Sequence, residues 1–361
     1  MPLSPPLKPL RCNNEDCTFP EGGRCARLAE FPDPASDCED LARAEEATTP
    51  VSTEAAPWSG RHLPPADAER LLWRSPARLI AVLGPFNAGK TCLLTSFFLQ
   101  LANGQRGSFP YRFASSLTLH GFRELAEHAS RWSGKDSEDI VLHTSKEDSE
   151  LLGYFLHLGL RPERETDNRH LDVLLSDVSG EWVNHWTGKL NDEANRRMRF
   201  ISRSDAFFIL ADADALLKPE GNKVDNETSL LIRRVVTSMK EAKSRPPIAV
   251  VFSKFDRIAR EVPPPPENHR SDESAWGLLA KRARRTWLAL KDAERAQFPV
   301  GLFPVSAFPS RLADGQPAGV MDPFSWVMRY ADRLVPWPLE PAPIPEDARG
   351  FATMRRWRDE P

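Results

Sequence analysis

Eight consecutive residues, Gly84-Pro85-Phe86-Asn87-Ala88-Gly89-Lys90-Thr91, carry the clearest chemistry in the chain. The spacing G-x-x-x-x-G-K-[ST] suits a loop that wraps a phosphate. Its glycines let successive backbone N–H groups turn inward, its lysine reaches the outer phosphates, and its threonine hydroxyl reaches a Mg²⁺ ion. Such a loop works only between a buried strand and a helix whose partly positive N-terminus faces the anion. The apolar run Leu79-Ile80-Ala81-Val82-Leu83 precedes it. Cys92, Leu93, Leu94, Phe97, Phe98 and Leu101 follow it at helical spacing. Gly84, Asn87, Ala88, Gly89, Lys90, Thr91 and Cys92 are therefore the expected phosphate-binding set. Lys90 is the charge-neutralising catalytic member and Thr91 a Mg²⁺ ligand.

A second constellation closes the strand pattern Leu171 to Ser176 with Asp177-Val178-Ser179-Gly180, a D-x-x-G sequence. An aspartate at such a strand end can hold Mg²⁺ through water, and the Gly180 N–H can sense a terminal phosphate. Further along, Ser253-Lys254-Phe255-Asp256 ends the strand pattern Ile248 to Phe252, and Val305-Ser306-Ala307 ends the one after it. Each of these alone is an ordinary polar turn; the order of all four motifs, each at a strand end, is the signal.

The elements that must position them are legible from periodicity. Ala66 to Arg74 reads as a short helix, Gly104 to Thr118 as mixed loop and strand, and Phe122, Leu125, Ala126 and Ala129 as a short amphipathic helix. Tyr154 to Leu160 and His170 to Leu175 read as a β-hairpin. A helix around Gly188 to Ser202, a strand Ala206 to Leu210 and a helix Glu227 to Lys240 follow. After the strand at 248–252, Val262-Pro263-Pro264-Pro265-Pro266 predicts a stiff exposed loop. A helix from Ser274 to Gln297, a strand Val300 to Val305 and a helix from Pro323 to Leu334 complete the pattern. Strands alternating with helices predict an α/β fold of three layers with a mostly parallel sheet. The expected organisation is a Cys-rich segment over residues 1–45, a linker over 46–66, the P-loop domain over 67–335 and a Pro-rich tail over 336–361.

Composition excludes several classes. The 361-residue chain has a formal net charge of −3 and 27% charged residues, so no global basicity directs it to nucleic acid or anionic membrane. No apolar stretch is long enough to span a bilayer, and the N-terminus lacks the basic segment and apolar core of a signal peptide, which predicts a cytoplasmic protein. Four of the five cysteines, Cys12, Cys17, Cys25 and Cys38, fall in the first 45 residues. So short a segment cannot build a core, and four thiolates supply the ligand count of a structural Zn²⁺ site in a reducing compartment. The spacing lacks tight C-x2-C pairs, and a tail with free thiols is the alternative reading.

With those residues in view, the sequence resembles P-loop GTPases of the translation-factor-related (TRAFAC) class, whose guanine-reading motifs are [NT]-K-x-D and S-A. The resemblance implies a Ras-like domain binding GTP or GDP with Mg²⁺. By it, Asp256 accepts from the guanine ring N–H and amino group, Lys254 lies over the base, and the Ala307 backbone N–H, beside Ser306, meets the guanine oxygen. Ser253 departs from the usual Asn or Thr, which puts loop-bridging hydrogen bonds in doubt. Asn87 stands where some members use an Asn beside a K⁺ ion; hydrogen bonding within its own loop is the alternative. Thr118 is the candidate switch I threonine closing on Mg²⁺, with Thr144 a rival in the same interval. Glu181 stands where many GTPases place a water-orienting Gln; its charge would repel phosphate oxygens, so slow intrinsic turnover is expected.

A narrower resemblance rests on Gly84 to Thr91, on Arg112 to Phe122 and on Leu174 to Glu181. These stretches are similar to the bacterial double-GTPase families, in particular the double-GTPase 2 type. That resemblance implies a protein partner, such as a second GTPase encoded nearby, in a multi-gene conflict or defence system. Two other readings fit the same loop: an ATPase or kinase, and an interaction module in which nucleotide is structural or absent.

Overall fold

The computed structural model describes residues 10–12, 38, 41–43, 60–74, 77–107, 109–132, 140, 154–163, 171–188, 195, 197–219, 221–242, 244–261, 275–309 and 316–334. Strands β1 (Leu10–Cys12) and β2 (Leu41–Arg43) form a two-stranded antiparallel ladder. The main sheet holds β3 (Ala77–Leu83), β4 (Tyr111–Ser115), β5 (Phe155–Pro162), β6 (Leu171–Ser176), β7 (Ala206–Asp212), β8 (Ile248–Ser253) and β9 (Val300–Pro304). Its spatial order is β4-β5-β6-β3-β7-β8-β9. Pairs β6/β3, β3/β7, β7/β8 and β8/β9 are parallel, whereas β4/β5 and β5/β6 are antiparallel. The expected hairpin and mostly parallel sheet are both present, and β4 adds an edge strand whose register is bulged between Phe113 and Ser115.

The helices are α1 (Pro65–Arg74), α2 (Lys90–Ala102), α3 (Leu119–Arg131), α4 (Gly180–Gly188), α5 (Ala213–Leu217), α6 (Gly221–Glu241), α7 (Phe255–Glu261), α8 (Ala275–Arg282), α9 (Arg284–Arg295) and α10 (Met321–Leu334). Strand residues alternate between two cores, as the period of a pleated strand requires. In β3, Leu79, Ala81 and Leu83 pack with α1, α4, α6 and α9, while Ile80 and Val82 pack with α2, α3 and α10. Phe207 and Ile209 of β7 face the first core, Phe208 and Leu210 the second. Both faces of the sheet are thus covered, giving three layers. No helix among the described residues is long and apolar enough to cross a membrane.

Three elements differ from the sequence expectation. The helix anticipated around 188–202 is observed at residues 195 and 197 and as a 3-10 helix over Arg199–Arg203, and a further helix, α4, starts earlier, at Gly180. The Ser179 hydroxyl accepts the Glu181 N–H at 3.3 Å, and Trp182, Val183 and Trp186 form its buried face. The long helix over 274–297 is two helices. Asp225 of α6 accepts the Arg285 and Thr286 N–H groups at 2.9 and 2.8 Å, capping a new N-terminus at α9 from another element. Finally, residues 60–66 of the segment assigned as linker over 46–66 are packed on the domain. Leu63 is fully buried, and its N–H donates to the Phe155 carbonyl at 2.8 Å.

The chain runs from β3 leftward to β4, β5 and β6, then returns to β7 on the other side of β3. Open α/β sheets hold ligands at such a reversal, beyond the carboxyl ends of the strands. There the β3/β6 ladder stops at Ile80 and Leu175, and the Ser176 hydroxyl accepts the Val82 N–H at 2.8 Å in place of a backbone carbonyl.

Candidate functional site

Gly84–Gly89 links β3 to α2 at that reversal. Gly89 has φ 84° and Asn87 φ 61°, both left-handed. Glycine adopts that region freely, and asparagine more readily than most residues, so Asn87 has a conformational reason to be there. Lys90 opens α2 almost fully buried, and its Nζ donates to the Gly84 and Pro85 carbonyls at 3.0 and 3.1 Å. Burial lowers its ammonium pKa to about 8, with the Asp177 charge acting in the opposite direction. The Thr91 hydroxyl donates to Asp177 Oδ1 at 3.0 Å. Asp177 lies just past β6 with 1% exposure, and its N–H donates to the Tyr154 carbonyl at 2.7 Å. A hydroxyl and a buried carboxylate converging beside a lysine form a donor set suited to a hard divalent cation carrying a phosphate chain.

Gly180 lies against the same loop. A Cβ there would stand 2.4 Å from the Phe86 nitrogen and 2.7 Å from both the Phe86 Cα and the Pro85 carbonyl carbon. Only glycine lets the D-x-x-G turn approach this closely. Glu181, next in sequence, is exposed in the first turn of α4.

The other two motifs close the site from the β8 and β9 ends. The Ser253 hydroxyl donates to the Ala88 carbonyl at 2.8 Å and lies 3.3 Å from the Ala211 carbonyl. A serine hydroxyl therefore spans from the end of β8 to the Gly84–Gly89 loop. Lys254 adopts φ 55°, and its Nζ pairs with Asp212 Oδ2 at 2.6 Å. The Asp256 N–H donates to the Ser306 hydroxyl at 2.8 Å, and the Phe255 N–H to the Val305 carbonyl at 3.1 Å. Ser96 of α2 donates to the Ala307 carbonyl at 2.8 Å. Gly84 to Thr91, Asp177, Gly180, Ser253, Lys254, Asp256, Ser306 and Ala307 thus form one contiguous rim, and Cys92 follows half-buried in the first turn of α2.

Thr118 is placed differently. It is fully buried before α3, where its hydroxyl accepts the His157 N–H at 2.8 Å and lies 3.4 Å from the His157 carbonyl. The Leu117 N–H donates to His157 Nδ1 at 2.9 Å, so Nε2 carries the proton and donates to Asp172 Oδ1 at 2.9 Å. This buried network holds Ser116 to Thr118 on β5. Thr144, Cys17 and Cys25 lie outside the described residues. Cys12 lies in β1, and Cys38 is a half-buried free thiol. Among the described residues no group of three or more His, Cys, Asp or Glu is arranged to hold a metal ion.

Two residues of the rim were not expected. Asp212 ends β7, and its strand-end position was the available sequence signal. His62, whose Nε2 lies 3.8 Å from Asp177 Oδ2, comes from a stretch with linker composition and no motif.

Several solved structures are similar to this chain. The signal recognition particle receptor SRb-GTP/SRX complex from Chaetomium thermophilum is similar over 70% of this chain and 97% of that chain, at 16% identity and TM-score 0.38. An ADP-ribosylation factor-like GTP-binding protein, the small COPII coat GTPase SAR1 of Encephalitozoon cuniculi in complex with GDP, is similar over 72% and 82%, at 15% identity and TM-score 0.33. The S. cerevisiae Ski7 GTPase-like domain bound to GTP covers 74% and 53%, at 14% identity and TM-score 0.38. No curated protein matches. The Double-GTPase 2 family model matches residues 78–309, from β3 to just past Ala307, which is more than half of the chain. The chain belongs to the Double-GTPase 2 family.

Proposed function

We propose that this protein is a GTP-binding switch that hydrolyses GTP to GDP and phosphate. The observation that carries the reading is the Asp256 N–H to Ser306 hydroxyl bond at 2.8 Å, which joins the S-K-F-D and S-A segments on the same rim as Gly84 to Thr91. Asp256 would accept from the guanine ring N–H and amino group, with the Lys254 stem across the base and the Ala307 N–H toward the guanine oxygen. Gly84 to Thr91 and Cys92 would surround the phosphates. Thr91 and Asp177 fit a Mg²⁺ ion, which when bound neutralises charge developing on the phosphates. Lys90 supplies a second positive charge, and Gly180 an N–H beside the terminal phosphate.

Turnover would be slow. Glu181 brings a negative charge to the position of a water-orienting side chain, and an arginine from a partner would be needed to complete charge neutralisation. A protein partner, such as a second GTPase in a bacterial conflict or defence system, is part of this proposal. So are Zn²⁺ on Cys12, Cys17, Cys25 and Cys38, K⁺ beside Asn87, Thr118 as the switch I threonine once its hydroxyl leaves the His157 N–H, the division at 1–45, 46–66, 67–335 and 336–361, and a cytoplasmic location. The deciding experiment measures affinity for GTP, ATP and XTP with Mg²⁺ in wild type and Asp256→Asn. Tight GTP binding that shifts toward XTP in the variant supports the reading; equal ATP and GTP affinity, unmoved by the substitution, excludes it.

A further inference from the structure

Gly60–Pro64 crosses the metal end of the rim as a strap with an anchor at each end. At the first, the Gly60 N–H donates to the Leu117 carbonyl at 3.2 Å and the Gly121 N–H to the Gly60 carbonyl at 2.9 Å. Arg61 adds an exposed ion pair to Glu124 of α3 at 3.1 Å. At the second, the Leu63 N–H donates to the Phe155 carbonyl at 2.8 Å, and the Leu63 carbonyl accepts from Tyr154 and Phe155 at 3.2 and 3.1 Å. The strap therefore joins the segment carrying Thr118 to the start of β5.

His62 lies between these anchors. Its side chain is 19% exposed, and Nε2 stands 3.8 Å from Oδ2 of Asp177, whose own side chain is 1% exposed. The Thr91 hydroxyl reaches both oxygens of that carboxylate, Oδ1 at 3.0 Å and Oδ2 at 3.4 Å, and the Asp177 N–H reaches the Tyr154 carbonyl at 2.7 Å, directly beside the second anchor. Three elements thus meet on one buried carboxylate: the first turn of α2, the end of β6 and the strap. Carboxylates that serve metal ions are commonly oriented by a neighbouring polar side chain, and losing that neighbour weakens metal affinity.

We infer that His62 is a positioning residue for the Mg²⁺ and phosphate end of the site, so that seating of the Gly60–Pro64 strap and binding of Mg²⁺-nucleotide are coupled. The inference rests on the GTP-binding reading above. An imidazole packed 3.8 Å from Oδ2 limits rotation of the carboxylate that the Thr91 hydroxyl holds from the other side. The coupling is reciprocal: whatever the strap contributes to Mg²⁺-nucleotide affinity, Mg²⁺-nucleotide contributes to seating of the strap. The strap precedes the phosphate loop in sequence, so a control element lies upstream of the segments ordinarily searched for switches.

The test uses the full chain, a fluorescent GDP analogue and titrated Mg²⁺. In wild type, Mg²⁺ slows release of the analogue. His62→Ala requires about tenfold more Mg²⁺ for the same slowing, and His62→Gln, which retains a side-chain N–H donor, recovers part of the difference. Amide hydrogen exchange gives a second readout: Mg²⁺ with GDP protects the Leu63 amide in wild type and fails to do so in His62→Ala. Wild-type Mg²⁺ dependence and protection in both variants overturns this inference and leaves the GTP reading standing. Wild-type protein that binds neither GDP nor GTP overturns both.

Discussion

The Ser253 hydroxyl donates to the Ala88 carbonyl at 2.8 Å across 165 positions of sequence, tying the end of β8 to the phosphate loop. Both atoms are buried, so Ser253→Ala leaves a carbonyl without this donor. A lost hydrogen bond of this kind is worth about 1 kcal/mol, so guanine nucleotide affinity should fall about fivefold. Ser253→Asn, with an amide N–H to offer, should hold near the wild-type value. Equilibrium titration of a fluorescent nucleotide reads both, and an alanine variant that binds as tightly as wild type removes the role assigned to the hydroxyl.

The Lys254–Asp212 ion pair at 2.6 Å offers a separate handle. Asp212 Oδ1 also caps α5 by accepting the Ala215 N–H at 3.0 Å. Asp212→Asn retains the cap and removes the charge. Stability should change by less than about 1 kcal/mol for so partly exposed a pair, while guanine nucleotide affinity drops severalfold as the lysine stem loses its tether. Asp212→Ala should cost about 1 kcal/mol more by losing the cap. Thermal unfolding and nucleotide affinity, measured together, separate the two contributions.

Gly180→Ala tests the contact between the D-x-x-G turn and the phosphate loop. Its Cβ would sit 2.4 Å from the Phe86 nitrogen, so one backbone must move. The expected result is weaker binding of GTP and GDP alike, with the preference for guanine over xanthine nucleotides unchanged because Asp256 and Ser306 are untouched. A variant with altered base preference would show that the distortion spreads to the β8 and β9 loops.

Asp205 gives a pH-dependent expectation away from the site. Burial raises its carboxyl above the ordinary value of 3.8, against the Leu79 N–H that it accepts at 2.8 Å and the charges of Arg78 and Arg203. With the folded pKa raised, the native state holds this proton more tightly than the unfolded chain. Its contribution to stability is therefore lost as pH rises from 3.8 through the folded pKa. Asp205→Asn keeps an acceptor for Leu79 and should unfold at a higher temperature than wild type at pH 7, with the advantage shrinking as the solution is acidified. Calorimetry at several pH values decides it; an advantage that grows on acidification contradicts the assignment.

Much of the site was legible because its chemistry follows local spacing. Gly84 to Thr91 and Asp177 to Gly180 each follow a buried strand, and the nearly unbroken apolar runs of β3, β7 and β8, which are buried on both faces, made those strands readable. Ser253 was legible in position but not in competence, since only the approach of Ala88 reveals that a short hydroxyl suffices. His62 carried no signal: a histidine between Gly60 and Leu63 gains meaning only when Leu63 pairs with Phe155 and brings it beside Asp177. The break before α9 was hidden for the same reason, because its cap, Asp225, lies 60 residues earlier. Thr118 fitted an interval rather than a spacing, and tertiary contacts with His157 decide where its hydroxyl points.

The bulge between Phe113 and Ser115 bears on how this protein meets others. Among the described strands β4 is the edge beside β5, with Arg112, Ala114 and Ser115 exposed. An interrupted ladder ending in a charged and small-residue rim is a poor template for a foreign strand. Copies of the chain crowded together during synthesis are accordingly protected on this side from joining edge to edge into aggregates.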